Sequence, residues 1–339
     1  MKLRRLVLAA ACAAATCSYL APQAFLAPQA FAQGKYPSRP VRIIVPLPPG
    51  GAIDVFARAM GKEFETRTGA SVVVENKAGA NTILAANACK AAAPDGYTFC
   101  LLTRSTVSIN PEIYRKLPYD PLADFEAVTN GFFGQQIVIL NRNVPVKTLA
   151  ELVDYSKKNP DKLNFASMGL GGDSHLIMEW LKHETGARIT HVPYKGFPEA
   201  MTSFKANDVQ MIALLVGNPD LARQIRESEV KGLLLPGSKR SNLVPEVPTF
   251  AESGLTGDQT KFTPWFGFFA PKGTPREYVE AMSDEINAIM ANPEFREKFL
   301  TSKGLEAAGS KPDVFGKFLV SDRKAAADLV AISGVKIDE

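Results

Sequence analysis

Two glycine-rich junctions hold the residue types best suited to chemistry. In the first, Val41 to Val45 runs into Pro46-Leu47-Pro48-Pro49-Gly50-Gly51, and Ala52, Ile53 and Asp54 open an amphipathic stretch. In the second, Ser167-Met168-Gly169-Leu170-Gly171-Gly172-Asp173-Ser174-His175 lies between a strand-like run and a helical pattern. Glycine lets backbone approach a bound group closely, proline stiffens the turn, and the first N–H groups of a helix have no acceptor inside it. A junction of this kind binds an anion through main-chain donors, with no charged side chain required. Two of them facing each other across a cleft would clamp a carboxylate from both sides.

Other chemistries find little support. Neither junction fits G-x-x-x-x-G-K-[ST], and the first lacks G-x-G-x-x-G, which disfavours nucleotide phosphate. There is no G-x-S-x-G elbow and no H-E-x-x-H pair. His175, His183 and His191 stand eight apart, so only His175 and His183 fall on similar faces of one helix, and a metal would need further ligands. Asp54 near a helix start reads as a stabiliser of that terminus rather than an acid catalyst. Replacing Gly51 or Gly171 by a β-branched residue is expected to weaken binding while leaving the fold intact.

The chain has 339 residues and opens with Lys2, Arg4 and Arg5, an apolar run from Leu6 to Ala15, and Ala30-Phe31-Ala32. This is the pattern of a secretory signal peptide over residues 1–32, cleaved after Ala32. The apolar run is too short to span a bilayer. Removing the three basic residues from 39 Lys and Arg leaves 36 against 35 Asp and Glu. That balance argues against a nucleic-acid partner or a polybasic membrane footprint. Cys89 and Cys100 survive processing and would sit in an oxidising compartment, where a disulfide stapling helix to strand is expected, the alternative being two buried thiols.

The elements that must position the junctions alternate strand and helix, which points to α/β layers with a largely parallel sheet. After Val41 to Val45, apolar residues at Ile53, Phe56, Ala57, Met60 and Phe64 mark a helix that Gly69 ends. Val72 to Val74, a helix from Thr82 to about Ala92, and Tyr97 to Leu102 complete a first unit. From about Phe132 the pattern restarts with Gln136 to Leu140. Thr148-Leu149-Ala150-Glu151 has capping-box spacing, as does Thr249-Phe250-Ala251-Glu252. Strands follow at Leu163 to Ala166, Thr190 to Val192, Val209 to Leu214 and Gly232 to Leu235. Tyr194 and Gly196, in His191-Val192-Pro193-Tyr194-Lys195-Gly196, read either as a structural corner or as cleft lining. Leu215 follows the strand whose end reaches towards the same cleft. Trp265 to Ala270 is strand-like, and the helical tail over 275–291, 293–302 and 312–332 most simply returns to cover the first unit. The expected lobes are therefore 33–132 with 250–339, and 133–249.

Seven of these segments taken together resemble one family. Pro46 to Asp54, Glu75-Asn76-Lys77-Ala78-Gly79-Ala80-Asn81, Pro94-Asp95-Gly96-Tyr97-Thr98, the Gly171 to His175 turn, His191 to Gly196, Val247 to Gly254 and Trp265-Phe266-Gly267 are similar to the Bug receptors. These are the extracytoplasmic solute-binding proteins of tripartite tricarboxylate transporters. The resemblance implies a type II periplasmic-binding-protein fold, with two α/β lobes closing over a small mono- or dicarboxylate. It implies the membrane subunits of such a transporter as partners, a sensor protein as a further one, a monomeric periplasmic receptor, no cofactor and no catalysis. In that family the loop matching Pro48 to Ala52 and the one matching Gly171 to Ser174 hold the carboxylate. The chain departs from its relatives at Leu215, an apolar wall that argues against an ammonium group and for an aromatic or apolar-tailed acid. It departs also at Arg104, beside Ser105, where relatives have small residues. Arg104 could pair a distal carboxylate, although an exposed loop arginine is the reading the sequence favours. A secreted hydrolase acting on a small ester or amide, and a ligand-sensing subunit of a signalling system, are the alternatives.

Overall fold

The computed structural model describes residues 36–194, 196–217, 220–256 and 263–337. The proposed signal peptide, Lys195, and the segments 218–219, 257–262 and 338–339 lie outside them. Among the described residues no helix is long and apolar enough to cross a membrane.

Along the chain the elements are β1 Val41–Val45, α1 Ala52–Thr68, β2 Val72–Asn76, α2 Ile83–Lys90 and β3 Thr98–Thr103. A wide helical turn, Ser105–Ile109, follows, then α3 Asn110–Ile113, α4 Pro121–Asp124, β4 Phe125–Gly134, β5 Gln136–Asn141 and α5 Leu149–Lys158. Next come β6 Asn164–Ser167, α6 Asp173–Thr185, β7 Thr190–Pro193, α7 Phe197–Ala206, β8 Met211–Leu215, α8 Leu221–Arg226 and β9 Val230–Leu234. The chain closes with β10 Trp265–Pro271, α9 Arg276–Ala291, α10 Pro293–Phe299, β11 Leu305–Ala307 and α11 Pro312–Ser333.

Two sheets result. The first has the order β11-β4-β10-β3-β1-β2 and the second β7-β6-β8-β5-β9. In the first, β1 lies parallel between β2 and β3. In the second, β6 lies parallel between β7 and β8. Each set of parallel strands therefore sends its connecting loops out of one edge, the carboxyl edge, where ligands collect in open α/β sheets.

Local chemistry explains most boundaries. Thr148 caps α5 by accepting from Glu151 N (3.2 Å), while Glu151 Oε2 accepts from Lys147 N (2.7 Å). Thr249 and Glu252 exchange bonds in the same reciprocal way. There Gly254 turns left-handed after a single 3-10 turn, Ala251–Ser253, so the capping spacing heads no full helix. Strand β4 has no legible signature in the sequence, because Glu126, Thr129, Asn130 and Gly131 interrupt its apolar residues. It forms because β10 and β11 pair antiparallel on either side of it.

The tail covers more than the first sheet. Val279, Met282, Ile286 and Phe295 of α9 and α10 pack with Phe56, Met60 and Phe132. Phe315 and Leu319 in the first half of α11 join Trp265 and Cys100. Ala326, Leu329 and Val330 in its second half pack with Leu176, Ile177 and Trp180 beside the second sheet. The lobes also meet where β4 passes into β5. Val216 N donates to Gln135 O (2.9 Å) and Gln135 N to Gly304 O (3.3 Å). A Cβ on Gly217 would lie 1.6 Å from the Lys303 carbonyl oxygen, so only glycine permits this approach.

Cys89 of α2 and Cys100 of β3 form a disulfide in the interior of the first lobe. The loop it closes spans a sequence separation of 11, for which chain entropy alone predicts roughly 3 kcal/mol of stabilisation. Urea unfolding of the oxidised protein and of the Cys89→Ala/Cys100→Ala variant should differ by about that amount, and coincident curves would show that packing alone holds α2 on β3.

Candidate functional site

The loop after β1 is tied down from inside its own helix. Asp54, 3% exposed, accepts from Gly50 N (2.9 Å), Arg58 Nε (3.0 Å) and Asn76 Nδ2 (2.9 Å). Asn76 also donates to Leu47 O (2.9 Å). Burial raises the Asp54 pKa, but the bonds from Arg58, Gly50 and Asn76 outweigh it and hold the carboxyl below its ordinary value. Asp54 is thus the stabiliser of this terminus, and it takes up the Gly50 N–H that the sequence offered to a ligand. Pro48, Pro49, Gly50 and Gly51 remain exposed and Ala52 half-buried. The first bond of the α1 ladder runs from Val55 N to Gly51 O (3.0 Å), so the Ala52 and Ile53 N–H groups precede it, and no side chain caps them.

The loop after β6 is held from beneath by two histidines. Ser167, fully buried, donates to Gly169 O (2.9 Å) and lies 2.6 Å from His191 Nε2. The His191 ring stacks on that of His175 at 3.7 Å. Gly171 N donates to His175 Nδ1 (3.0 Å), which requires that nitrogen to be unprotonated. Burial first, then His191 and Lys182, pushes the His175 pKa down to about 3. Burial and Lys182 push that of His191 down to about 4. Both rings are neutral supports at neutral pH. Ser167, engaged inside the loop, is not presented to solvent as a nucleophile. His183, which the sequence placed near His175, is exposed beside Glu184.

Above these supports, α6 begins with Gly172 as an N-cap that no side chain completes. His175 N and Leu176 N donate to Gly172 O (2.9 and 3.0 Å), which leaves the Asp173 and Ser174 N–H groups ahead of the ladder. Gly171 is left-handed (φ +72), and a Cβ there would lie 2.0 Å from Ile113 Cδ1. A β-branched residue at 171 would therefore disturb the fold, contrary to the sequence expectation. Gly51 has ordinary φ and only Pro48 O at 3.9 Å from its Cβ direction, so the backbone there has room for a side chain.

Three contacts bring the two carboxyl edges together. Ser105 Oγ donates to Asp173 Oδ2 (3.2 Å), Arg104 Nη1 lies 3.7 Å from Asp173 Oδ1, and Asn81 Nδ2 donates to Leu170 O (3.3 Å). The loops after β2 and β3, which carry Asn81 and Arg104, flank the loop after β1, whose strand lies between theirs. Arg104 is not the exposed loop arginine the sequence favoured. It is 3% exposed, and its Nε binds both oxygens of Asp322 (2.9 and 3.0 Å), a carboxylate that Trp265 Nε1 also holds (2.8 Å). Asp322 lies more than two hundred residues along the chain, on α11, which is why local sequence gave no sign of it. Asn81 was likewise missed as a contact.

Tyr194, Gly196 and Leu215 have contacts of their own. Tyr194 N donates to Ser167 O (2.9 Å), and its side chain packs against the cluster that contains Phe204 and Ile212. Gly196 is the N-cap of α7 in extended conformation, which any residue adopts. Leu215, opposite Gln136 in the ladder, packs on the first-sheet core beside Gly134. Among the described residues no three His, Cys, Asp or Glu side chains gather as a metal site.

The family profile described as "Tripartite tricarboxylate transporter family receptor" matches residues 56–333. The chain belongs to this family. It is 31% identical to the periplasmic binding protein BugD, with a TM-score of 0.79 over 89% of this chain and 99% of that one. A Rhodopseudomonas palustris protein solved with adipate is 27% identical, with a TM-score of 0.82 and coverage of 89% and 99%. Another from that organism, MatC with bound malate, is 28% identical, with a TM-score of 0.77 and coverage of 87% and 100%. The fold of this receptor is accordingly the type II periplasmic-binding-protein fold, two α/β lobes with a cleft between them.

Asp173 carries the electrostatic signature of the contact. Burial is the largest influence and raises its pKa to about 6, with Asp322 adding to the rise and Arg104 and Ser105 opposing it. A folded pKa above the unfolded one stabilises the fold fully below the unfolded value, and the contribution is lost as pH rises through the folded value. The melting temperature of the receptor should therefore rise relative to that of Asp173→Asn as pH falls from about 7.5 to about 4.5. A flat difference across that range would show that Asp173 is not desolvated by lobe contact.

Proposed function

We propose that this receptor captures a small carboxylate between the N-termini of α1 and α6 and delivers it to the membrane subunits of a tripartite tricarboxylate-type transporter. The observation that supports this reading is the pair of helix starts, at Ala52 and Asp173, each with a glycine N-cap and no capping side chain, in two lobes whose carboxyl edges Asn81 and Ser105 link. In this reading Pro48, Pro49, Gly51 and Ala52 form one jaw, and Gly171, Gly172 and Ser174 the other. Family membership and the adipate and malate named for two similar structures support a carboxylate as cargo.

An ionised carboxylate buried without partners would be strongly unfavourable. Main-chain donors to a charged group contribute about 1.5 to 3 kcal/mol each, and three or four of them support micromolar binding once ordering is subtracted. Only the closed arrangement lets both jaws reach the ligand, so binding favours closure. Ser167 and the two neutral histidines serve as loop supports, which favours reversible binding over hydrolysis. The receptor acts in the periplasm, after export directed by its first 32 residues.

Thermal-shift screening of mono- and dicarboxylates, malate, adipate and aromatic acids included, should find at least one that raises the melting temperature, because ligand bound to the native state alone stabilises it by mass action. For that acid, calorimetry on Gly51→Val should show affinity at least about tenfold weaker, roughly 1.4 kcal/mol, with an unchanged circular dichroism spectrum. Unchanged affinity would remove the α1 terminus from the site.

A further inference from the structure

Three consecutive residues that are not glycine, Ala80, Asn81 and Thr82, stand at φ +46, +47 and +70. Left-handed backbone is unfavourable for each, least so for asparagine and most for β-branched threonine. A run of this kind persists only where its surroundings over-determine it. Here they do. Asn110 Nδ2 donates to Asn81 O (2.9 Å), and Asn81 Nδ2 donates to Asn110 Oδ1 (2.8 Å). Thr82 Oγ1 lies 2.7 Å from Thr106 Oγ1. Tyr119 accepts from Asn110 Nδ2 (3.1 Å) and donates to Thr106 O (2.7 Å), closing the set. Asn110 and Thr106 are fully buried.

All of these bonds stay within the first lobe. One leaves it, from Asn81 Nδ2 to the Leu170 carbonyl (3.3 Å). That carbonyl belongs to the loop that precedes α6, two residues before its N-cap. We propose that Asn81 is a positioning residue that couples the lobes: the strained turn aims its carboxamide across the cleft, and its bond to Leu170 holds the second glycine-rich loop in the shape that presents the Asp173 and Ser174 N–H groups. Asparagine suits the position twice over, since it tolerates the left-handed turn and carries a donor that aspartate lacks. The coupling rests on the two-lobe reading of the cleft and not on the identity of the solute.

The test is made without added solute, so its failure is distinct from a failure of the carboxylate reading. Val73, exposed on β2, and Lys205, exposed on α7, are replaced as Val73→Cys and Lys205→Cys and spin-labelled in a chain carrying Cys12→Ser and Cys17→Ser, Cys89 and Cys100 being paired in their disulfide. Pulsed dipolar spectroscopy then reads the separation of the lobes in the full chain. Asn81→Gly keeps the turn, because glycine adopts positive φ freely, and Asn81→Asp keeps it while removing the donor. Both also lose the bond to Asn110 Oδ1 within the first lobe, so both should lower the melting temperature while the circular dichroism spectrum stays that of the parent. Both should shift the distance distribution to longer values and broaden it. A parent-like distribution in either variant would overturn the coupling, and so would a loss of folded structure in both, which would make Asn81 a residue of the first lobe's fold alone.

Discussion

The N–H groups that open a helix have no acceptor within it, and the helices of this receptor meet that need in different ways. Asp120, Thr148 and Asn292 complete the starts of α4, α5 and α10 with their side chains. At α1, α6 and α7 the cap is glycine, and the starts of α1 and α6 follow strands at the carboxyl edges that Asn81, Ser105 and Arg104 link. The neighbouring polar residues serve those two openings. Asp54 secures Gly50 from below, and His175 secures Gly171. In the proposed reading, loops held in this way bind a carboxylate with little reorganisation.

The same requirement shapes the packing between the lobes. Donors from two domains converge only if the carboxyl edges of two separate sheets are brought face to face. The two sheets are joined where β4 passes into β5 and again between β9 and β10, and α11 lies across both halves. Phe315 and Leu319 anchor one end of that helix in the first lobe, and Ala326, Leu329 and Val330 the other beside α6. Asp322 lies between the two anchors and meets Arg104 and Trp265 there. Arg104 is thereby drawn inward, towards Asp173, and becomes part of the contact between lobes rather than a surface charge.

Much of this was legible before any coordinates. Strand β1 runs over the residues its apolar run marks, and α6 ends at Gly186 in left-handed conformation, as a C-terminal glycine predicts. Those features depend on neighbours within a few positions. Strand β4 was hidden because its partners, β10 and β11, come more than a hundred residues later. The wide turn at Ser105–Ile109 and the left-handed run at Ala80–Thr82 were hidden for a similar reason, as buried polar bonds and not propensity select them.

By itself the sequence determined the alternation of strand and helix, the two glycine-rich junctions and the resemblance to one receptor family, because periodicity, turn chemistry and motif order are local properties of a chain. Only the tertiary structure decided that Arg104 is buried against Asp322, that the Gly50 N–H belongs to Asp54, and that Asn81 reaches Leu170. Each of those is a bond whose strength depends on distance in space, and the chain positions on either side of it carry no record of the partner.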